Sequence, residues 1–195
     1  MKPRTGVRML IIDPERQRLI QDVLSRFQSE VLANKDQLPH GQIHGDFNEQ
    51  NILISEHADG EAKISGILDF GDTHRSCVVF DLAIVIMYMM LDSTSVPAEE
   101  VPGHVTAGYL TKRSLSSIEF QVLGFCIAAR FAQSLTLGYH TYQQNPIPEN
   151  EYVLVTQKRG WTVLENLWSK QMSNLTQSWL QIIRSYHPDW APEKA

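Results

Sequence analysis

The sequence has little of what marks several function classes. It has two cysteines, Cys77 and Cys126, both inside apolar runs, so a disulfide framework or a cysteine-based zinc site is excluded, and buried free thiols are expected. It has no cationic surplus: 17 Lys and Arg against 22 Asp and Glu leave a formal net charge of −5, the wrong sign for a general nucleic-acid binder. No Gly-x-Gly occurs, so the glycine-rich phosphate loops built on that triplet are missing. The N-terminus carries no charged, apolar and small-residue leader pattern. The longest apolar run, residues 77–91, is interrupted by Asp81 and is too short to cross a bilayer. These absences favour a reducing, cytoplasmic setting without a nucleic-acid or membrane partner.

What is present is an ordinary globular balance, 43% hydrophobic and 20% charged, in a chain of 195 residues. That length encloses one full core, so a single domain over 1–195 is expected. Asp13-Pro14 is a helix start, with Asp13 as cap and proline in the first turn. Ile20, Val23, Leu24, Phe27 and Val31 then recur at helical spacing, which predicts a helix to about Asn34. Short strand candidates follow at residues 42–44, 51–54 and 62–68, with a turn at Asp59-Gly60 between the last two. Beyond Ser76 the pattern predicts helices over about 77–91, 100–112, 116–141, 150–169 and 171–186, with prolines at the boundaries. Helix, small β-patch, then helical bundle is an α+β order rather than an alternating βαβ one.

Two stretches carry chemistry: His44-Gly45-Asp46-Phe47-Asn48-Glu49-Gln50-Asn51, and Ile67-Leu68-Asp69-Phe70-Gly71-Asp72. Phosphoryl transfer needs a carboxylate to orient the attacking hydroxyl and accept its proton, and oxygen ligands to hold Mg²⁺ against the phosphates. Asp46 and Asn51 are five positions apart between two strand candidates, the Asp-x-x-x-x-Asn spacing of a kinase catalytic loop. Asp69-Phe70-Gly71 follows the next strand, 18 positions beyond Asn51. The expected roles are Asp46 as catalytic base or hydroxyl orienter, and Asn51 and Asp69 as Mg²⁺ ligands. The bland alternative for all three is turn capping. Asp72 either caps its turn or contacts substrate or metal. Arg130, in an apolar stretch, either grips a substrate carboxylate or makes an internal salt bridge. Trp161, Trp168, Trp179 and Tyr186 fall on helical patterns and are expected in the core.

His-Gly-Asp in place of His-Arg-Asp argues against a protein kinase. Residues 43–54 (IHGDFNEQNILI), 65–72 (SGILDFGD), 79–90 (VFDLAIVIMYMM) and 130–135 (RFAQSL) resemble the aminoglycoside phosphotransferase family of small-molecule kinases, and within it the hydroxylysine kinases. The resemblance runs from about residue 13 to 187. It implies a protein-kinase-like C-terminal lobe, mostly helical, with a small β-hairpin patch at the catalytic loop. It also implies transfer of a γ-phosphate from GTP, or ATP, to the hydroxyl of hydroxylysine with Mg²⁺ assistance. His44 would support the loop by hydrogen bonds, and Asp81 would accept backbone N–H groups from it. A substrate with two ammonium groups calls for acidic neighbours, with Asp72, Asp92 and Glu119 as candidates.

The same resemblance implies a second, N-terminal lobe with a loop over the phosphates and a lysine–glutamate pair. Only 43 residues precede His44, so the expectation is that this lobe is absent and the chain is a fragment, a truncated gene model or a splice form, inactive alone. Apolar residues that would face such a lobe are expected at the surface, with Met9 to Ile12 as candidates. The alternatives are another amino alcohol such as an aminoglycoside, choline or homoserine, or a non-catalytic binding module. A metal-dependent hydrolase is disfavoured, because no nucleophile or zinc cluster accompanies the carboxylates.

Overall fold

The computed structural model describes residues 13–56, 60–144 and 155–192. Helix α1 (Pro14–Arg26) begins where the Asp13 carboxylate accepts the Glu15 N–H at 2.9 Å, and it buries Ile20 and Val23. Beyond Arg26 the winding changes rather than ending: a π-turn over Phe27–Val31 leads into a 3₁₀ segment over Leu32–Gln37. The extra residue of the wide turn drops Val31 fully into the core and leaves Leu32 exposed at 43%.

Among the described residues the β-structure is two small antiparallel sheets: the expected hairpin patch and a second strand pair beside it. Strand β1 (His40–Ile43) pairs antiparallel with β4 (His74–Cys77), and β2 (Ile52–Glu56) pairs antiparallel with β3 (Ala62–Ile67). Strand β4 was not expected, and residue 77 belongs to it rather than to the next helix. Its sequence, His-Arg-Ser-Cys, is polar and buries only Cys77, so it gives no alternating apolar signal. Of the Asp59-Gly60 turn, Asp59 lies outside the described residues, and Gly60 has φ +80°.

Five helices follow among the described residues: α2 (Val79–Asp92), α3 (Val101–Leu110), α4 (Ser117–Gln144), α5 (Val155–Ser169) and α6 (Met172–Tyr186). The expected helix start near residue 150 lies outside the described residues. The core sits between α2 and α4, where Ile86, Met87, Leu123, Ile127 and Phe131 are fully enclosed. Trp179 of α6 is buried, and its indole N–H donates to the Glu99 carbonyl at 2.7 Å. Gly124 lets α6 pack closely on α4, because a Cβ there would collide with Met172 Sδ and press on the Trp179 ring. Trp161 is also core, whereas Tyr186, expected there too, is 58% exposed and stands edge-on to His104. Helix α4 is long and apolar enough to cross a membrane by length and composition alone, but 61% of its apolar window is buried inside the fold, as in a core helix.

The β2–β3 hairpin behaves differently. Ile54 and Ile64 are 67% and 66% exposed, and Leu53, Ile67, Leu68 and Phe70 beside them are also open. Among the described residues the exposed large hydrophobics are concentrated on this hairpin and the turn after it, while Met9 to Ile12 lie outside the described residues.

Candidate active site

The loop between β1 and β2 is fixed from below by Asp81, in the first turn of α2. One carboxylate oxygen accepts the His44 N–H at 2.7 Å and the other accepts the Gly45 N–H at 2.9 Å. A negative charge in a first helical turn is also favoured by the helix dipole. Gly45 has φ +87°, and a Cβ there would lie 2.5 Å from the Asp72 carbonyl oxygen, so glycine is required where the two chemical stretches touch. The His44 ring bridges them as well. Its Nε2 lies 2.8 Å from the Leu68 carbonyl and its Nδ1 faces the Asp46 N–H at 3.4 Å. A neutral imidazole protonated on Nε2 satisfies both contacts. The ring packs between Phe47 and Phe70.

Asp46 therefore sits on a backbone held from two sides, and its side chain is held too. Oδ1 pairs with Arg130 Nη2 at 2.5 Å, and Oδ2 accepts from Asn48 Nδ2 at 3.2 Å. Arg130 comes from the middle of α4. Its Nη1 donates to Gln133 Oε1 at 3.0 Å, its Nη2 donates to the Tyr88 hydroxyl at 3.2 Å, and its guanidinium lies 5.6 Å from the Tyr88 ring centroid. The Arg130 Nε is buried without a partner. Burial pushes the Tyr88 hydroxyl above its ordinary pKa, outweighing the opposing pull of the Arg130 charge, so the phenol stays protonated. The internal salt bridge is thus the one Arg130 makes, and its partner is Asp46 itself.

Asn51 is tied to the same carboxylate residue: its Nδ2 donates to the Asp46 carbonyl at 2.9 Å, which leaves Oδ1 as the free end of the amide. The Asn51 carbonyl accepts the Leu68 N–H at 2.9 Å, bringing the end of β3 alongside. The next residue, Asp69, has φ +57°, alone among the described non-glycine residues in the left-handed region, and its carboxylate accepts the Gly71 N–H at 3.4 Å. Such a conformation is sparsely populated and collects at functional sites.

Asp46, Asn48, Glu49, Asp72, Tyr88 and Arg130 face one open cleft of about 370 Å³. Asn51 and Asp69 are not on its wall, and join it through the Asn51–Asp46 bond and the β3 contact. Among the described residues no three His, Cys, Asp or Glu side chains converge on a metal position. Mg²⁺ takes one or two protein oxygens and fills its remaining positions with water and phosphate, so the donor types of Asn51 and Asp69, an amide oxygen and a carboxylate, are chemically suited to it. Glu119 does not reach the cleft. It is 2% exposed and closes a capping box at the start of α4, accepting the Ser116 N–H and hydroxyl at 2.9 and 2.8 Å. Asp92 is exposed and borders a neighbouring chamber rather than the cleft. Asn48, Tyr88 and Gln133 were missed. Tyr88 is seven positions after Asp81 and Gln133 three after Arg130, and helical spacing places both on the faces already singled out.

Residues 6–110 match the pattern that defines the phosphotransferase enzyme family, APH. The chain belongs to this family. The matched stretch contains Asp46, Asn51, Asp69, Asp72 and Asp81, while Arg130 lies beyond it. The chain is similar to the hydroxylysine kinase of Mus musculus, 36% identical over 176 residues, which cover 88% of this chain and 46% of the relative. It is 36% identical over 172 residues to the hydroxylysine kinase of Bos taurus, covering 86% and 45%, and 34% identical over 170 residues to that of Danio rerio, covering 87% and 47%. The chain thus spans about half the length of the curated relatives it matches. No solved structure gives a match.

Proposed function

We propose that this chain carries the catalytic loop and acceptor cleft of a cytoplasmic small-molecule kinase that moves the γ-phosphate of a nucleoside triphosphate to the hydroxyl of 5-hydroxylysine. The observation that carries this reading is Asp46: a carboxylate held by Arg130 and Asn48 on a loop anchored by Asp81, facing an open cleft beside Asn51. In that position Asp46 orients the acceptor hydroxyl and takes its proton as the oxygen bonds to the γ-phosphorus and the bond to the bridging oxygen breaks. Asn51 and Asp69 would hold Mg²⁺, which neutralises the phosphate oxygens when nucleotide is bound. Glu49 and Asp72 give the cleft wall a negative charge suited to ammonium groups. Arg130 is occupied by Asp46, so it acts on the carboxylate rather than as the grip for the amino acid's own carboxylate. GTP is the proposed donor and ATP the alternative.

Calorimetric titration of the 195-residue chain with hydroxylysine, homoserine, choline and an aminoglycoside, then with Mg-GTP and Mg-ATP, tests the reading. Hydroxylysine is expected to bind in preference to the other acceptors, and absence of binding by every acceptor and both nucleotides would overturn it. In a gene product that turns over, Asp46→Asn is expected to lower kcat by about a hundredfold or more while acceptor binding persists. An unchanged kcat would remove Asp46 from the chemistry.

A further inference from the structure

The acceptor cleft has two walls of opposite hydrogen-bonding character. The wall built from the loops carries the carboxylates of Asp46, Glu49 and Asp72. The helical wall carries donors: Tyr88 from α2, Arg130, Gln133 and Ser134 from α4, and Thr156 from α5. Arg130 decides how its neighbours are turned, because a guanidinium donates hydrogens and accepts none. Its Nη1 meets the Gln133 amide at 3.0 Å, so the atom facing it is Oε1, and the Nε2 end with its two hydrogens points away. Its Nη2 meets the Tyr88 oxygen at 3.2 Å, so the phenol accepts there and directs its own hydrogen elsewhere. Neither Gln133 Nε2 nor the Tyr88 O–H has an acceptor among the described residues. A third hydrogen is left over beside them. The Ser134 and Thr156 hydroxyls stand 2.7 Å apart, and their bond uses one of their two hydrogens.

One cation thus turns two neutral side chains outward as donors, one from each of its terminal nitrogens, and polarises both. Unfilled donors backed by a positive group suit a carboxylate, whose two oxygens can accept from separate partners. An ammonium group gains nothing from this wall, since it has only hydrogens to offer. We propose that Tyr88 and Gln133 form a carboxylate-reading pair in the acceptor cleft, which selects an amino acid over an amino alcohol that lacks the acid group. The inference rests on the kinase reading for the acceptor's hydroxyl, but not for its carboxylate. Arg130 keeps its bond to Asp46 throughout. It acts on the acid group through the two side chains it orients, so the proposed base and the reading pair share one anchor.

The test titrates the full chain with hydroxylysine and with the diamino alcohol that remains when its carboxyl group is removed. Hydroxylysine is expected to bind about tenfold tighter or more, as two charge-assisted hydrogen bonds allow. Tyr88→Phe keeps the ring and removes the hydrogen. Gln133→Glu keeps an oxygen for Arg130 and replaces the donor end with a negative charge. Tyr88→Phe should weaken hydroxylysine about tenfold and Gln133→Glu about a hundredfold, while neither weakens the diamino alcohol. A role in packing alone would weaken both ligands together, so the ratio of the two affinities is the readout. Equal binding of the two ligands by the unaltered chain, or a ratio that survives Gln133→Glu, overturns the proposal. Lysine and cadaverine repeat the comparison without the hydroxyl, and Mg-GTP is titrated into the same samples. A carboxylate preference in both pairs with no nucleotide binding would count against the kinase reading and leave the reading pair standing. Nucleotide binding with no preference in either pair would remove the reading pair alone.

Discussion

The helical bundle and the β2–β3 hairpin are both rich in isoleucine and leucine, yet they treat those residues oppositely. In the bundle Ile86, Leu123, Ile127 and Leu135 are 0–1% exposed, while on the hairpin Ile54 and Ile64 stand opposite each other at 67% and 66%. Composition does not decide burial; a facing layer does. A two-stranded ribbon with no layer over it has little stability of its own. This one is kept in place by its ends, where the Leu68 N–H meets the Asn51 carbonyl and both run into the loops around His44. The hairpin contributes little to the core, but its open end, where β2 begins beside the end of β3, brings Asn51 and the segment leading to Asp69 together.

If the bundle is where folding energy is stored, Trp179→Ala should cost about 3–5 kcal/mol in urea unfolding, through the cavity and the lost indole bond. A cost under about 1 kcal/mol would place stability elsewhere. Asp81 joins the two regions, so Asp81→Ala should cost about 2–3 kcal/mol by leaving two loop N–H groups unpaired, and should weaken hydroxylysine binding more than it lowers helical content. Retained binding would mean the loop holds itself. Burial pushes the Cys126 thiol far above its ordinary value of 9.0, with the nearby Cys77 adding to the shift. A raised thiol pKa means the folded state keeps a proton that the unfolded chain releases, so its contribution is intact below pH 9 and is lost as pH rises beyond it. Unfolding free energy should fall by about 1.4 kcal/mol per pH unit above that point, and Cys126→Ala should flatten the slope. The smallest effect belongs to the hairpin. Ile54→Thr with Ile64→Thr should change stability by about 0.5 kcal/mol or less while reducing binding of an apolar dye. A loss comparable to that at Trp179 would erase the contrast between the two regions.

The chain order of helices, the α+β character and the two chemical stretches were legible because each leaves a local trace: caps, prolines, helical apolar spacing, and acids at fixed intervals. Strand β4 left none, since only Cys77 of its four residues is buried and its pairing with β1 is 37 positions away for the Cys77–His40 pair. The π-turn after Arg26 was equally silent, because Phe27 and Val31 fit an α-helical face as well as a wider turn. Glu119 was misjudged despite a readable signal: Ser116-x-x-Glu119 is a capping box, and that pattern accounts for a buried acid without a ligand. Arg130 could be read only as paired. Its partner lies 84 positions back, and such a distance is set by how α4 crosses the β1–β2 loop.

The counter-ion of the proposed catalytic carboxylate is therefore borrowed from the centre of the longest helix. A small rotation or slackening of α4 would strand Asp46 beside an empty place while the loop backbone kept its shape. Warming should consequently weaken binding of the proposed acceptor several degrees before the helices melt, and solutes that tighten helix packing should delay that loss. The temperature at which function fails would then be a property of one crossing between helix and loop rather than of the whole molecule.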